Sequence, residues 1–146
     1  MGGWICSAGQ TTGCISMMVL ISVLVCAFQA ILFLQSGIDK VVDRKGNMEW
    51  LTGHFANSPF KNMVGLNLTI ITILEIAAGA LSGLGVFQLL LTGSTLLAFW
   101  GILLSAVSIL CLFLGQRLAK DYVGAAVLVS YFILCILGLY VLSFVG

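Results

Sequence analysis

Four apolar runs, each long enough to cross a bilayer as a helix, dominate this sequence. They cover residues 14–38, 63–84, 87–114 and 123–145, and the only charged residue inside any of them is Glu75. A bilayer core about 30 Å thick needs roughly 20 apolar residues of helix. Backbone groups in lipid must bond internally, and no run alternates polar and apolar residues as a barrel strand would. We therefore predict one all-α domain over residues 1–146, a polytopic bundle of four transmembrane helices.

Composition excludes several classes of function. Hydrophobic residues make up 61% of the chain and charged residues 8%, whereas soluble domains carry about 25% charged residues. One histidine, five acidic and six basic residues leave few groups for metal sites or nucleic-acid binding. We expect no metal, no nucleic-acid partner, contact with membrane lipid, and no evident cofactor.

The basic residues predict the orientation of the bundle. All six lie between the first and second runs or between the third and fourth, namely Lys40, Arg44, Lys45, Lys61, Arg117 and Lys120. The termini and residues 82–85, the expected turn between the second and third runs, contain none. The positive-inside rule then places both termini on the non-cytoplasmic side of the membrane.

The segment 39–62 is longer than a simple connection. Its first charges predict one further turn of the first helix before Gly46 and Asn47 interrupt it. Apolar residues then follow helical spacing over 48–55, which predicts a short helix at the membrane interface with Trp50 at headgroup depth. We interpret His54, in this segment, as a solvated loop residue.

Glu75 is the main candidate for a site within the membrane. A carboxylate at this depth is costly, so it should face the bundle interior. The nearest cations lie at the helix ends, and we expect a lysine side chain there not to reach Glu75. We therefore expect Glu75 to be protonated or hydrogen-bonded to an amide such as Gln29. A proton or ligand site and a neutral carboxyl that ties helices together remain equally open alternatives.

Two further groups of residues share a helix face or a side of the membrane. Thr72, Gly79 and Gly83 follow helical spacing with Glu75 and predict a small-residue seam for helix packing. Asp39, Lys40, Arg117 and Asp121 lie on one side of the membrane. They would form a cytoplasmic charge cluster, or else simply lie in solvated turns.

The five cysteines do not indicate thiol chemistry. They are Cys6, Cys14, Cys26, Cys111 and Cys135, and no two have the C-x-x-C spacing of dithiol oxidoreductases. Cys6 and Cys14 share the outer side and would allow a disulfide. We interpret the other three as apolar packing residues.

Three segments together resemble the DoxX-like family of small four-helix membrane proteins. They are the Phe-Leu-Gln-Ser-Gly-Ile-Asp-Lys sequence at 33–40, the Leu-Glu-Ile-Ala-Ala-Gly-Ala-Leu sequence at 74–81, and the Gly-Gln-Arg-Leu-Ala-Lys-Asp-Tyr-Val-Gly-Ala-Ala sequence at 115–126. The resemblance implies the same fold and a location in a cell membrane of the bacterial cytoplasmic type. It also implies an association with membrane oxidoreductases, since relatives include subunits linked to thiosulfate oxidation with quinone as acceptor.

The resemblance favours an accessory or quinone-proximal subunit of a membrane redox complex, with quinone as the implied cofactor. Other complex subunits or a second copy of this chain would be its protein partners. A structural or assembly subunit without chemistry of its own is the first alternative, and a small-solute or lipid transporter is the second. The resemblance supports the fold more than a reaction, so whether the chain is an enzyme stays open.

Overall fold

The computed structural model describes residues 16–145, which form five helices. In chain order these are α1 (Met17–Val42), α2 (Arg44–His54), α3 (Val64–Thr92), α4 (Leu96–Leu118) and α5 (Tyr122–Leu142). All except α2 are long and apolar enough to cross a membrane, and the part of the chain described contains no strand. The predicted all-α bundle of four membrane helices is confirmed.

The four long helices form a closed ring. α1 packs on α3, α3 on α4, α4 on α5, and α5 returns to α1. Large apolar side chains point outward from every long helix; examples are Leu24, Ile31, Leu91 and Val127, all more than half exposed. Such a surface is stable in lipid rather than in water, so the outer face of the bundle contacts membrane lipid.

Small residues let α1 and α3 approach closely. A Cβ atom added to Gly79 would lie 2.8 Å from the backbone nitrogen of Leu34, and one added to Gly37 would lie 2.6 Å from Cγ1 of Ile76. Thr72 is buried, whereas Gly83 has only an ordinary contact, 3.7 Å from Cβ of Ala30. The small-residue seam thus packs within this chain, where close helix contact requires small side chains.

The turn between α3 and α4 lies later than the predicted one at 82–85. α3 continues through this segment because Ser82 and Gly85 are buried against α4. A Cβ at Gly85 would lie 2.7 Å from the backbone of Ala98. The helix ends instead at Gly93, whose φ of 70° suits a residue without a side chain. The predicted boundaries at 84 and 87 were therefore wrong.

The interfacial helix is present but starts earlier than predicted. Asp43 ends α1 and accepts a hydrogen bond from the backbone nitrogen of Gly46, 3.1 Å away, as the N-cap of α2. Gly46 and Asn47 therefore lie inside α2 and do not interrupt a helix. α2 contacts α1 and α3 and marks what we call the α2 end of the bundle, which also carries the turn between α4 and α5.

Candidate functional site

The site begins with an ion pair between α1 and α3. Lys40 Nζ lies 2.8 Å from Glu75 Oε2 and 3.2 Å from Oε1. The same ammonium donates to Ser36 Oγ at 2.7 Å. Glu75 is 1% exposed, while the Lys40 side chain is 19% exposed. Lys40 therefore connects a buried carboxylate with the surface at the α2 end.

The expectation that no lysine reaches Glu75 was wrong. Gly37 packs against Ile76, which places Lys40, about one turn further along α1, level with the turn of α3 before Glu75. The first two turns of α3 extend beyond the end of α1. Lys40 therefore approaches Glu75 from the side and does not have to reach down the full depth of α3.

Gln29 lies elsewhere in the interior. Its Nε2 donates to Cys135 Sγ on α5 at 2.9 Å, and the residue is 1% exposed. Gln29 precedes Ser36 by about two turns, or roughly 10 Å along α1. The structure thus does not bring the two candidate intramembrane residues, Glu75 and Gln29, together.

The four charges of the candidate cytoplasmic cluster make separate contacts. Lys40 pairs with Glu75, whereas the Arg117 guanidinium lies 4.8 Å from the centre of the Tyr122 ring. Asp121 accepts from the backbone nitrogen of Gly124 at 2.9 Å and thereby caps α5. Asp39 is exposed. Across residues 16–145, no ion pair joins any two of these four residues.

A pocket of about 430 Å³ opens at the α2 end, between α2, the start of α3 and the end of α4. Three aromatic residues line it: Trp50, Phe55 and Phe60. Its polar lining residues are Lys40, Asn47, His54, Asn67 and Gln116. Aliphatic residues of α3 and α4 form the remaining wall. Lys40 connects the pocket with the buried Glu75 carboxylate.

His54 holds α2 against the rest of the bundle. Its Nε2 lies 2.9 Å from Gln116 Oε1 and 3.9 Å from Asp121 Oδ2. Its ring stacks on Trp50 with 4.6 Å between the ring centres. The interpretation of His54 as a solvated residue was therefore wrong, since its side chain is 18% exposed. Gln116 was not predicted as a site residue, because no spacing rule links it to a residue 62 positions away.

The described cysteines have no partner sulfur. Cys26 and Cys135 are buried, and Cys111 is exposed at the pocket. Cys6 and Cys14 lie outside the described residues. Within 16–145, no three His, Cys, Asp or Glu side chains gather in a way that would hold a metal ion.

Comparisons with family models, with curated proteins and with solved structures find no match to this chain. The DoxX-like resemblance therefore stays a prediction.

Proposed function

We propose that this integral membrane protein binds a quinone in the pocket at the α2 end, as the quinone-proximal, DoxX-like accessory subunit of a membrane redox complex. The observation that carries the proposal is the pocket itself. Its volume of about 430 Å³ falls within the range of about 300–1,000 Å³ usual for small-molecule sites.

The lining of the pocket matches the chemistry of a quinone. A quinone ring has two carbonyl oxygens that accept hydrogen bonds and a flat face that stacks on aromatic rings. The Lys40 ammonium has three N–H donors, of which Ser36 and Glu75 occupy two. The third makes only a long contact of 3.4 Å with the backbone carbonyl oxygen of Ser36, for which a quinone carbonyl oxygen in the pocket would compete. Trp50 and Phe55 provide aromatic surface.

The position of the pocket suits a ligand that arrives from the membrane. Ile70 and Leu114 line the pocket and are also 45% and 55% exposed on the outer face of the bundle. Trp50, 59% exposed, is of the residue type enriched at headgroup depth. An isoprenoid tail would lie along this apolar opening while the ring enters the pocket.

The test is a fluorescence titration of the purified protein in detergent with a short-chain quinone, which quenches tryptophan on contact. We expect saturable quenching that the Trp50→Phe variant loses. Trp100→Phe is the matched control, because Trp100 lies on α4 away from the pocket and is 48% exposed. Quenching that rises linearly without saturation, or that Trp50→Phe retains in full, would contradict the proposal.

The assembly alternative gains no support from the small-residue seam. Gly79 contacts Leu34 of the same chain, so the seam is already occupied by α1. A variant such as Gly79→Leu would disturb the bundle itself and would not report on a partner helix.

A further inference from the structure

Buried polar side chains continue from Glu75 through the interior of the bundle. Six residues on three helices are at most 1% exposed, namely Ser22, Gln29, Glu75, Ser82, Ser105 and Ser108; we call them the interior polar row. Apart from Glu75 Oε2, which lies 2.8 Å from Lys40 Nζ, four of their atoms have no hydrogen-bond partner in the described part of the chain: Ser22 Oγ, Gln29 Oε1, Ser82 Oγ and Ser108 Oγ.

The packing register orders these residues across the membrane. Gly101 packs against Ser82, so in antiparallel α3 and α4 Ser108 lies level with Glu75, and Ser105 lies between those two levels. Gly83 contacts Ala30, so Gln29 lies level with Leu84, about half a turn of α3 from Ser82. By the same register, Ser22 lies within about one turn of Gly93, where α3 ends.

The interior polar row spans most of a bilayer. From Ser22 to Lys40, α1 rises about 27 Å at the helical rise of about 1.5 Å per residue, close to the hydrocarbon thickness of about 30 Å. Lys40 lies at the pocket and Ser22 near the opposite end of the bundle. Members of the row therefore occur from one end of the bundle to near the other.

Unpartnered polar atoms inside a bundle indicate bound water. Buried hydroxyl and amide groups are nearly always hydrogen-bonded, and buried waters usually bridge those that protein atoms leave unpaired. Ionisable residues that face the inside of a membrane bundle often mark a proton relay, and Glu75 is the ionisable member of this row. We propose that ordered waters bridge the interior polar row and that this chain of groups conducts protons between the pocket and the opposite side.

The proposed transfer changes only O–H bonds. A proton entering through the pocket binds the Glu75 carboxylate, and Lys40 remains an ammonium ion. Each water or hydroxyl group then accepts one proton and releases another to the next group. One proton leaves near the turn between α3 and α4, and no electron moves. This conduction does not require a ligand in the pocket.

The experiment uses the full chain reconstituted into liposomes that contain a pH-sensitive dye. A potassium gradient with valinomycin sets the membrane potential that drives proton entry. We expect the wild-type protein to acidify the interior faster than empty liposomes do. Glu75→Gln removes a proton-transfer group, and Gln29→Leu removes the amide oxygen that would accept from a bridging water. Each should reduce this protein-dependent rate by about tenfold or more.

Ser130→Ala is the matched control, since the Ser130 hydroxyl is exposed on α5 and bonds its own helix at Val127. It should leave the rate unchanged. A double variant, Lys40→Met with Glu75→Met, removes the carboxylate without leaving an unpaired charge, and it should lose the rate even if Glu75→Gln fails to fold. Far-ultraviolet circular dichroism checks the fold of every variant.

Two results would overturn the inference: a wild-type rate equal to that of empty liposomes, or folded Gln29→Leu and double variants that conduct as the wild type does. Neither result affects quinone quenching at Trp50. Conversely, loss of quinone binding leaves the proton path intact, so the two proposals fail separately.

Discussion

Removing Lys40 should destabilise the bundle more than removing the charge of its partner. Lys40→Met leaves Glu75 as an unpaired carboxylate at 1% exposure. Breaking a buried ion pair from one side costs about 3–5 kcal/mol. Because the Lys40 side chain is 19% exposed and the pocket admits water, we expect the lower value, about 3 kcal/mol.

Lys40→Met belongs to a double-mutant cycle, and the other two variants of that cycle should lose less free energy of unfolding. Glu75→Gln keeps an oxygen that accepts from Lys40, and its cost should be about 1–2 kcal/mol, as for a weakened buried hydrogen bond. The double variant Lys40→Met with Glu75→Met removes both charges. It should lie within about 1 kcal/mol of the wild type, because apolar replacement of a buried pair is often nearly neutral.

The assay is unfolding by sodium dodecyl sulfate in mixed micelles, followed by circular dichroism. The free energy of unfolding of all four proteins gives the coupling between the two side chains. A Lys40→Met variant as stable as the wild type, or a double variant less stable than both single variants, would refute the reasoning that Glu75 depends on Lys40 for its charge.

Three further predictions concern the fold. Gly79→Ala should lower the free energy of unfolding by about 1–3 kcal/mol, because the new Cβ would lie 2.8 Å from a backbone nitrogen of α1. Gly53→Ala in α2 meets no atom within 4 Å and should stabilise the protein by about 0.5–1 kcal/mol. Equal effects of the two variants in the same unfolding assay would contradict close packing at the small-residue seam. His54→Phe keeps an aromatic ring beside Trp50 but loses the hydrogen bond to Gln116, so the amides of α2 should exchange with deuterium faster; unchanged exchange would show that this bond does not hold α2. Gly93→Ala should cost about 1 kcal/mol because φ there is 70°, and a stabilised variant in thermal unfolding would refute the assigned turn.

Hydrophobicity alone was sufficient to predict the four membrane helices, because a span without charges has few other stable structures. It did not locate the turn between α3 and α4. Ser82, Gly83 and Gly85 have the composition of a turn, but small residues in a membrane helix serve equally well for close packing. Only the neighbouring helix distinguishes the two uses.

The geometry of the candidate site depends on the packing register between helices, which the local sequence of each helix does not determine. The pairing of Lys40 with Glu75 follows from how far α3 extends past the end of α1, and this offset is set by Gly37 and Gly79 packing against the opposite helix. The contact between His54 and Gln116 likewise depends on where α2 folds back. Sequence analysis identified Glu75 and Lys40 as candidates but placed them in different sites.

The most direct test of the proposed function is the quinone content of the protein purified from its native membrane in mild detergent. Extraction of the wild type should yield close to one quinone per chain. Ile71→Trp, which narrows the pocket, should lose it, whereas Ile73→Trp on the exposed face of the same helix should keep it. A wild-type protein without quinone, or an Ile71→Trp variant with undiminished quinone, would contradict a quinone site in this pocket.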